Sequence, residues 1–117
     1  MTTILIVEDE EDLRLLLRLS LGSEPYTFLE AATGAEAAPL WSSADLILLD
    51  LRLPDIDGLD LLRELGSTAA PIIALSGYSA EQFGPDAIEA GCVAYLKKPF
   101  TAAELLDTVR AALPAES

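Results

Sequence analysis

Five short apolar runs, Thr3–Val7, Tyr26–Glu30, Leu46–Leu49, Pro71–Leu75 and Val93–Leu96, recur along the chain, and a helix-period pattern follows each. The helical stretches are roughly Glu10–Leu21, Gly34–Trp41, Leu59–Leu65, Asp86–Ala90 and Ala102–Leu113. Continuously apolar strands belong inside a sheet covered on both faces, and strands separated by helices pair in parallel. Five such units predict an α/β fold, a doubly wound sandwich around one parallel five-stranded sheet. At 117 residues the chain suits one domain, expected over 1–117.

The helix punctuation agrees in most places. Thr33 with Glu36, and Thr101 with Glu104, have the spacing of a capping box that satisfies N–H groups at a helix start. Gly22, Gly66 and Gly91 stand where helices should stop, as residues that tolerate a left-handed backbone. Pro39 should shorten or kink the second helix. In "SAEQFGPDAIEAG" a capping box from Ser79 to Gln82 conflicts with Gly84-Pro85, which predicts a loose turn and then a short, mobile fourth helix starting near Pro85. Trp41 and the leucines between Leu13 and Leu21 are expected in the core, and Cys92 as an inert packing residue.

Composition excludes several functions. Seven basic residues against twenty acidic ones leave a net charge of −13, which repels nucleic acid. The chain has no histidine, so it holds no imidazole zinc site, no Ser-His-Asp triad and no histidine phosphodonor of its own. One cysteine makes neither a disulfide framework nor a cysteine metal cluster. No apolar run approaches the ~20 residues of a spanning helix. "MTTILIVEDEED" lacks the features of a signal peptide, so a cytoplasmic location without membrane contact is expected.

In an open parallel sheet, ligands sit beyond the carboxyl ends of the strands. There the sequence places Glu8 and Asp9 after the first strand, Asp50 after the third, Ser76 after the fourth and Lys98 after the fifth. Carboxylates brought together repel, and one takes up a proton unless a cation relieves the conflict. Mg2+ (or Mn2+) suits such oxygens, and a protonated Lys98 with the Ser76 hydroxyl suits a phosphoryl group. The chemistry implied is phosphoryl transfer onto a carboxylate.

These pieces, "ILIVEDE", "LILLDLRLPDIDG", "PIIALSG" and "AYLKKPF", come in the order and spacing of a response-regulator receiver domain, which the chain resembles over essentially its whole length. The resemblance implies a flavodoxin-like (βα)5 sheet of order 2-1-3-4-5. It makes Asp50 the phosphoacceptor, supplied by a phosphohistidine of a sensor histidine kinase or histidine phosphotransfer protein. It gives the metal to Glu8, Asp9, Asp50 and the backbone carbonyl of Arg52. Ser76 and Lys98 bind the phosphoryl group, Ser76 and Tyr95 form the switch, and Arg52 and Tyr78 tune hydrolysis. The Lys98–Pro99 bond is often cis in the family. The resemblance further implies a switching face built from the fourth helix, fifth strand and fifth helix, with an unidentified output partner and a phosphorylation-dependent homodimer. Glu8 departs from the family, where aspartate is commoner.

Two other functions compete with a phosphorylatable receiver. A pseudo-receiver would bind a partner without phosphate, and the intact Asp9, Asp50, Ser76 and Lys98 speak against it. An aspartate-dependent phosphohydrolase needs a substrate pocket that five βα units leave little chain to build, so enzymic work is expected only on the chain's own phosphoryl group. "LPDIDGLDLLRE" matches four EF-hand positions, three acids and a glycine (Asp55, Asp57, Gly58 and Glu64), but Leu53 and Leu61 occupy two ligand positions. Asp57-Gly58 is instead expected to lead into the third helix.

Overall fold

The computed structural model describes residues 2–66, 70–77 and 80–113, with the side chains of 80–83 left aside. Five strands, β1 (Thr2–Val7), β2 (Tyr26–Ala31), β3 (Leu46–Asp50), β4 (Ile72–Ser76) and β5 (Ala94–Lys97), pair in parallel in the order β2-β1-β3-β4-β5. The helices are α1 (Glu11–Ser20), α2 (Gly34–Ala37), α3 (Gly58–Leu65), α4 (Ala80–Ala90) and α5 (Ala102–Ala112). None of the described helices is long and apolar enough to cross a membrane.

Side chains alternate across a strand, so each strand feeds two cores. Ile4, Ile6, Leu46, Leu48, Ile73, Leu75 and Leu96 face α1 and α5, where Leu17, Leu21, Leu105 and Val109 meet them. Leu5, Val7, Ile47, Leu49, Ile72 and Ala74 face the other layer, with Trp41, Leu61, Leu62 and Ala87. Both faces of the central strands are therefore dry, the condition that makes their sequences continuously apolar.

The caps explain where helices begin and end. Thr101 Oγ1 accepts from the Glu104 N–H at 3.0 Å while Glu104 Oε1 accepts from the Thr101 N–H at 3.1 Å, a complete capping box. Thr33 caps α2 in the same way, but Glu36 reaches one residue further back, to the Ala32 N–H. Pro39 does end α2 early, and the chain continues as a 3-10 helix over Ala38–Ser43. Gly66 and Gly91 adopt positive φ, +74° and +117°. Gly22 does not, because α1 closes at Leu21, whose N–H bonds back to Leu17.

Two expectations are corrected. α4 is an eleven-residue helix from Ala80 to Ala90 and runs through Gly84-Pro85 without a loose turn. Pro85 is exposed and lies in the second turn, so its ring faces solvent and its missing N–H leaves one carbonyl unmatched. Gly84 and Ala87 are buried, so the side of α4 nearest the core carries small residues. Of the leucines of α1 and its C-cap only Leu17 and Leu21 are buried and Leu13 is partly so, whereas Leu15, Leu16 and Leu19 are exposed, Leu19 at 69%. A ten-residue helix covering one sheet face has one inward stripe, and six leucine positions cannot all lie on it. The Ser79 capping expectation lies outside the described residues.

Candidate functional site

The strand register assembles the site. Val7 pairs with Leu49, so Glu8 follows one strand where Asp50 ends the next. Asp50 pairs with Leu75, and Ser76 with Lys97, which brings Lys98 to the same edge. Backbone bonds carry the pairing past the strand ends: Glu8 N–H to Ala31 O at 3.0 Å, Leu51 N–H to Leu75 O at 3.0 Å and Lys98 N–H to Ser76 O at 2.7 Å. Glu8, Asp50 and Lys98 are next in the rows Ile4-Ile6, Leu46-Leu48 and Leu96 that face α1 and α5. Charged groups thus replace apolar ones where the hydrophobic layer runs out.

Glu8 is fully buried and Asp50 only 4% exposed. Lys98 Nζ donates to Glu8 Oε2 at 3.0 Å and to Asp50 Oδ2 at 3.2 Å, while the Arg52 N–H donates to Asp50 Oδ1 at 2.9 Å. Burial first, then hydrogen bonding to and repulsion from Asp50, push the Glu8 carboxyl up to about 8, with Lys98 opposing. Burial works against the Lys98 charge, but the Glu8 hydrogen bond and the Asp50 and Glu8 charges outweigh it, so its value rises above the ordinary lysine range. The ammonium therefore stays charged between two crowded carboxyl groups.

Above this layer opens a cleft of about 370 Å³ lined by Asp9, Glu10, Asp50, Arg52, Leu53, Pro54 and Lys98. Carboxylate oxygens of Glu8, Asp9 and Glu10 all lie within 4.8 Å of one another. These hard oxygens, with Asp50 on the wall of the same cleft, fit a small divalent cation. Glu10 belongs to this set as well as standing at the helix start, where it is the N-cap residue of α1; of the three acids only Glu8 is buried, while Asp9 and Glu10 are exposed.

The loop from Leu51 to Asp57 is pinned on both sides. Asp57 Oδ1 accepts from the Leu59 N–H at 2.8 Å and caps α3, as expected for a loop leading into that helix. Asp55 accepts from the Gly34 and Ala35 N–H groups at 2.8 and 3.1 Å, which holds the loop against the start of α2. Those bonds keep the Asp55 carboxyl below the ordinary aspartate value. A Cβ at Gly58 would lie 2.6 Å from both the Asp50 carbonyl oxygen and the Leu51 Cα, so only glycine lets α3 begin this close to the strand.

Ser76 is buried at the end of β4, and Tyr95 is half-buried and packs against the core layer of α2–α4. Arg52 is exposed at the cleft and forms an isolated bridge with Asp57. Tyr78 lies outside the described residues. The Lys98–Pro99 peptide is cis. Cys92 is buried, and burial pushes its thiol up to about 11, consistent with a packing residue.

Residues 4–110 match the family model of the response regulator receiver domain. The chain belongs to that family, the receivers of two-component signal transduction. It is 43% identical over 118 residues to the KDP operon transcriptional regulatory protein KdpE of Escherichia coli (strain K12), covering 97% of this chain and 52% of that protein. It is 41% identical over 115 residues to the transcriptional regulatory protein ResD of Bacillus subtilis (strain 168), covering 96% and 48%. The chain thus spans about half the length of these relatives. A two-component response regulator from Clostridium difficile superposes with a TM-score of 0.88 at 29% identity, over 96% of this chain and 95% of its own. The chemotaxis protein CheY4 of Vibrio cholerae shares the fold, with a TM-score of 0.85 at 24% identity over 97% and 99%.

Proposed function

We propose that Asp50 is the phosphoacceptor of this receiver. A carboxylate oxygen of Asp50 attacks the phosphorus of a phosphohistidine on a sensor histidine kinase or histidine phosphotransfer protein. The nitrogen–phosphorus bond breaks, the histidine leaves, and an acyl phosphate remains on Asp50. Water later attacks that phosphorus, releasing phosphate and restoring the carboxylate. The chain turns over no other substrate in this reading. The observation that carries it is the setting of Asp50: nearly buried at a strand end, on the wall of an acidic cleft, with Lys98 on one oxygen and the Arg52 N–H on the other.

Glu8, Asp9, Asp50 and the Arg52 carbonyl are the residues assigned to hold Mg2+ or Mn2+, with Glu10 near enough to assist. Such an ion, when bound, neutralises charge developing on the phosphoryl oxygens. Lys98, already beside Asp50, is placed to shift its hydrogen bonds onto a phosphoryl oxygen, and Ser76 to donate a second one. Drawing Ser76 inward would free space beside Tyr95, and the switch is read out on the face of α4, β5 and α5. Arg52 and Tyr78 are assigned to tune hydrolysis. The output partner, a homodimer through the switching face and a cytoplasmic setting belong to the same reading, as does a receiver unit filling 1–117. The regulatory names of its relatives support an output in transcription.

Intact mass after incubation with acetyl phosphate, with and without Mg2+, tests this function. One Mg2+-dependent phosphoryl adduct, absent from Asp50→Asn, is expected. A folded protein that gains no adduct would instead be a receiver acting without phosphate.

A further inference from the structure

Arg14 extends from α1 to the backbone of the acidic loop. Its Nη1 donates to the Glu8 carbonyl at 2.7 Å and to the Asp9 carbonyl at 3.3 Å. On the other side its Nε donates to Glu30 Oε1 at 3.0 Å, and Glu30 lies on β2 opposite Ile6. The Arg14 side chain is only 16% exposed. The second oxygen of Glu30 is 3.1 Å from Arg18 Nε, an ion pair on the other side of the anchor.

We propose that Arg14 is a positioning residue for the metal site: braced by Glu30, it fixes the main chain from which the Glu8 and Asp9 carboxylates project. A carboxylate ligand is placed by its backbone as well as by its rotamer. The arginine fork reaches the sheet and both carbonyls at once, which a lysine ammonium cannot do. Partners that orient metal ligands in this way contribute to affinity without touching the metal. The inference rests on the assignment of Glu8 and Asp9 as metal ligands.

The sign of the effect separates this role from simple charge. Arg14 is a cation beside an acidic cluster, so as a charge alone it would repel Mg2+, and its removal would tighten binding. As a positioning residue, its removal loosens binding.

Isothermal titration with Mg2+ would compare wild type, Arg14→Gln, Arg14→Lys and Glu30→Gln, with circular dichroism and thermal unfolding in EDTA as folding controls. Arg14→Gln should weaken Mg2+ binding about tenfold. Arg14→Lys, which keeps the charge, should weaken it too, and Glu30→Gln should do so to a smaller extent. Unchanged or tighter binding in folded Arg14→Gln would overturn the proposal. Should that variant not fold, Arg14→Lys decides, because it keeps the charge and only a positioning role makes it bind Mg2+ more weakly. A wild type whose Mg2+ binding is absent, or is unaffected by Asp9→Asn, would overturn the metal assignment itself and the present inference with it.

Discussion

Lys98 Nζ lies 3.2 Å from Asp50 Oδ2, and the same ammonium also donates to the fully buried Glu8. One cation therefore compensates two carboxylates that would otherwise repel across a dry strand end. Lys98→Met leaves them facing each other. Breaking a fully buried pair costs about 3–5 kcal/mol; because Lys98 keeps contact with solvent, a loss of about 2 kcal/mol is expected at pH values where both acids ionise. Mg2+ affinity should move the other way and rise, because a competing positive charge is gone. Urea unfolding and Mg2+ titration of one protein sample check both signs; reduced affinity in a folded variant would show that Lys98 helps to build the proposed Mg2+ site.

Glu8 makes the stability of the metal-free protein depend on pH. Its carboxyl is raised from 4.5 to about 8 by burial and by Asp50, so between those values the folded state binds more protons than the unfolded state. Stability from this group is complete below the unfolded value and is lost as pH rises toward about 8. Glu8→Gln cannot titrate. Urea unfolding in EDTA across that window should give a falling stability for wild type and a flatter curve for the variant. Parallel curves would mean that Glu8 ionises normally.

Gly58 sets how closely α3 approaches the backbone at Asp50. The atoms that an added Cβ would meet are the backbone of Asp50 and Leu51, which cannot yield as a flexible side chain would. Gly58→Ala should cost about 1–3 kcal/mol and displace Asp50, slowing its phosphorylation by acetyl phosphate. Gly77→Ala is the control, since nothing lies within 4 Å of a Cβ there. It should change stability by less than about 0.5 kcal/mol. Equal stabilities for the two variants would show that the loop at Gly58 accommodates the methyl group.

The sheet and the strand-end residues were legible because both depend on local pattern and a general rule. Apolar runs such as Leu46–Leu49 mark strands buried on both faces, and parallel pairing gathers the residues that follow them. Glu8, Asp50 and Lys98 were found in this way. Asp55 was not, because its bonds to Gly34 and Ala35 join positions 20 and 21 residues apart, and its own neighbourhood resembles a calcium loop. Arg14 read as one polar position of a leucine-rich helix, and its carbonyl contacts depend on how α1 leaves β1. The exposed Leu15, Leu16 and Leu19 show the same limit, since apolar content alone does not tell how wide a stripe the sheet can cover.

The fourth helix shows tertiary packing overriding a local breaker. Ala87 is wholly buried in the core layer beneath α4, and Gly84, one turn earlier, is buried as well. Pro85 points away from that layer, so the helix continues at the cost of one backbone hydrogen bond. Pro85→Ala restores the N–H and should stabilise the domain by about 1–3 kcal/mol, the upper value being the full penalty of an interior proline. The same change should increase amide protection over residues 85–90, which hydrogen exchange reads directly. A destabilised variant would mean that the proline ring holds α4 in place, and the helix would then owe its position to Pro85 rather than to the buried small residues beside it.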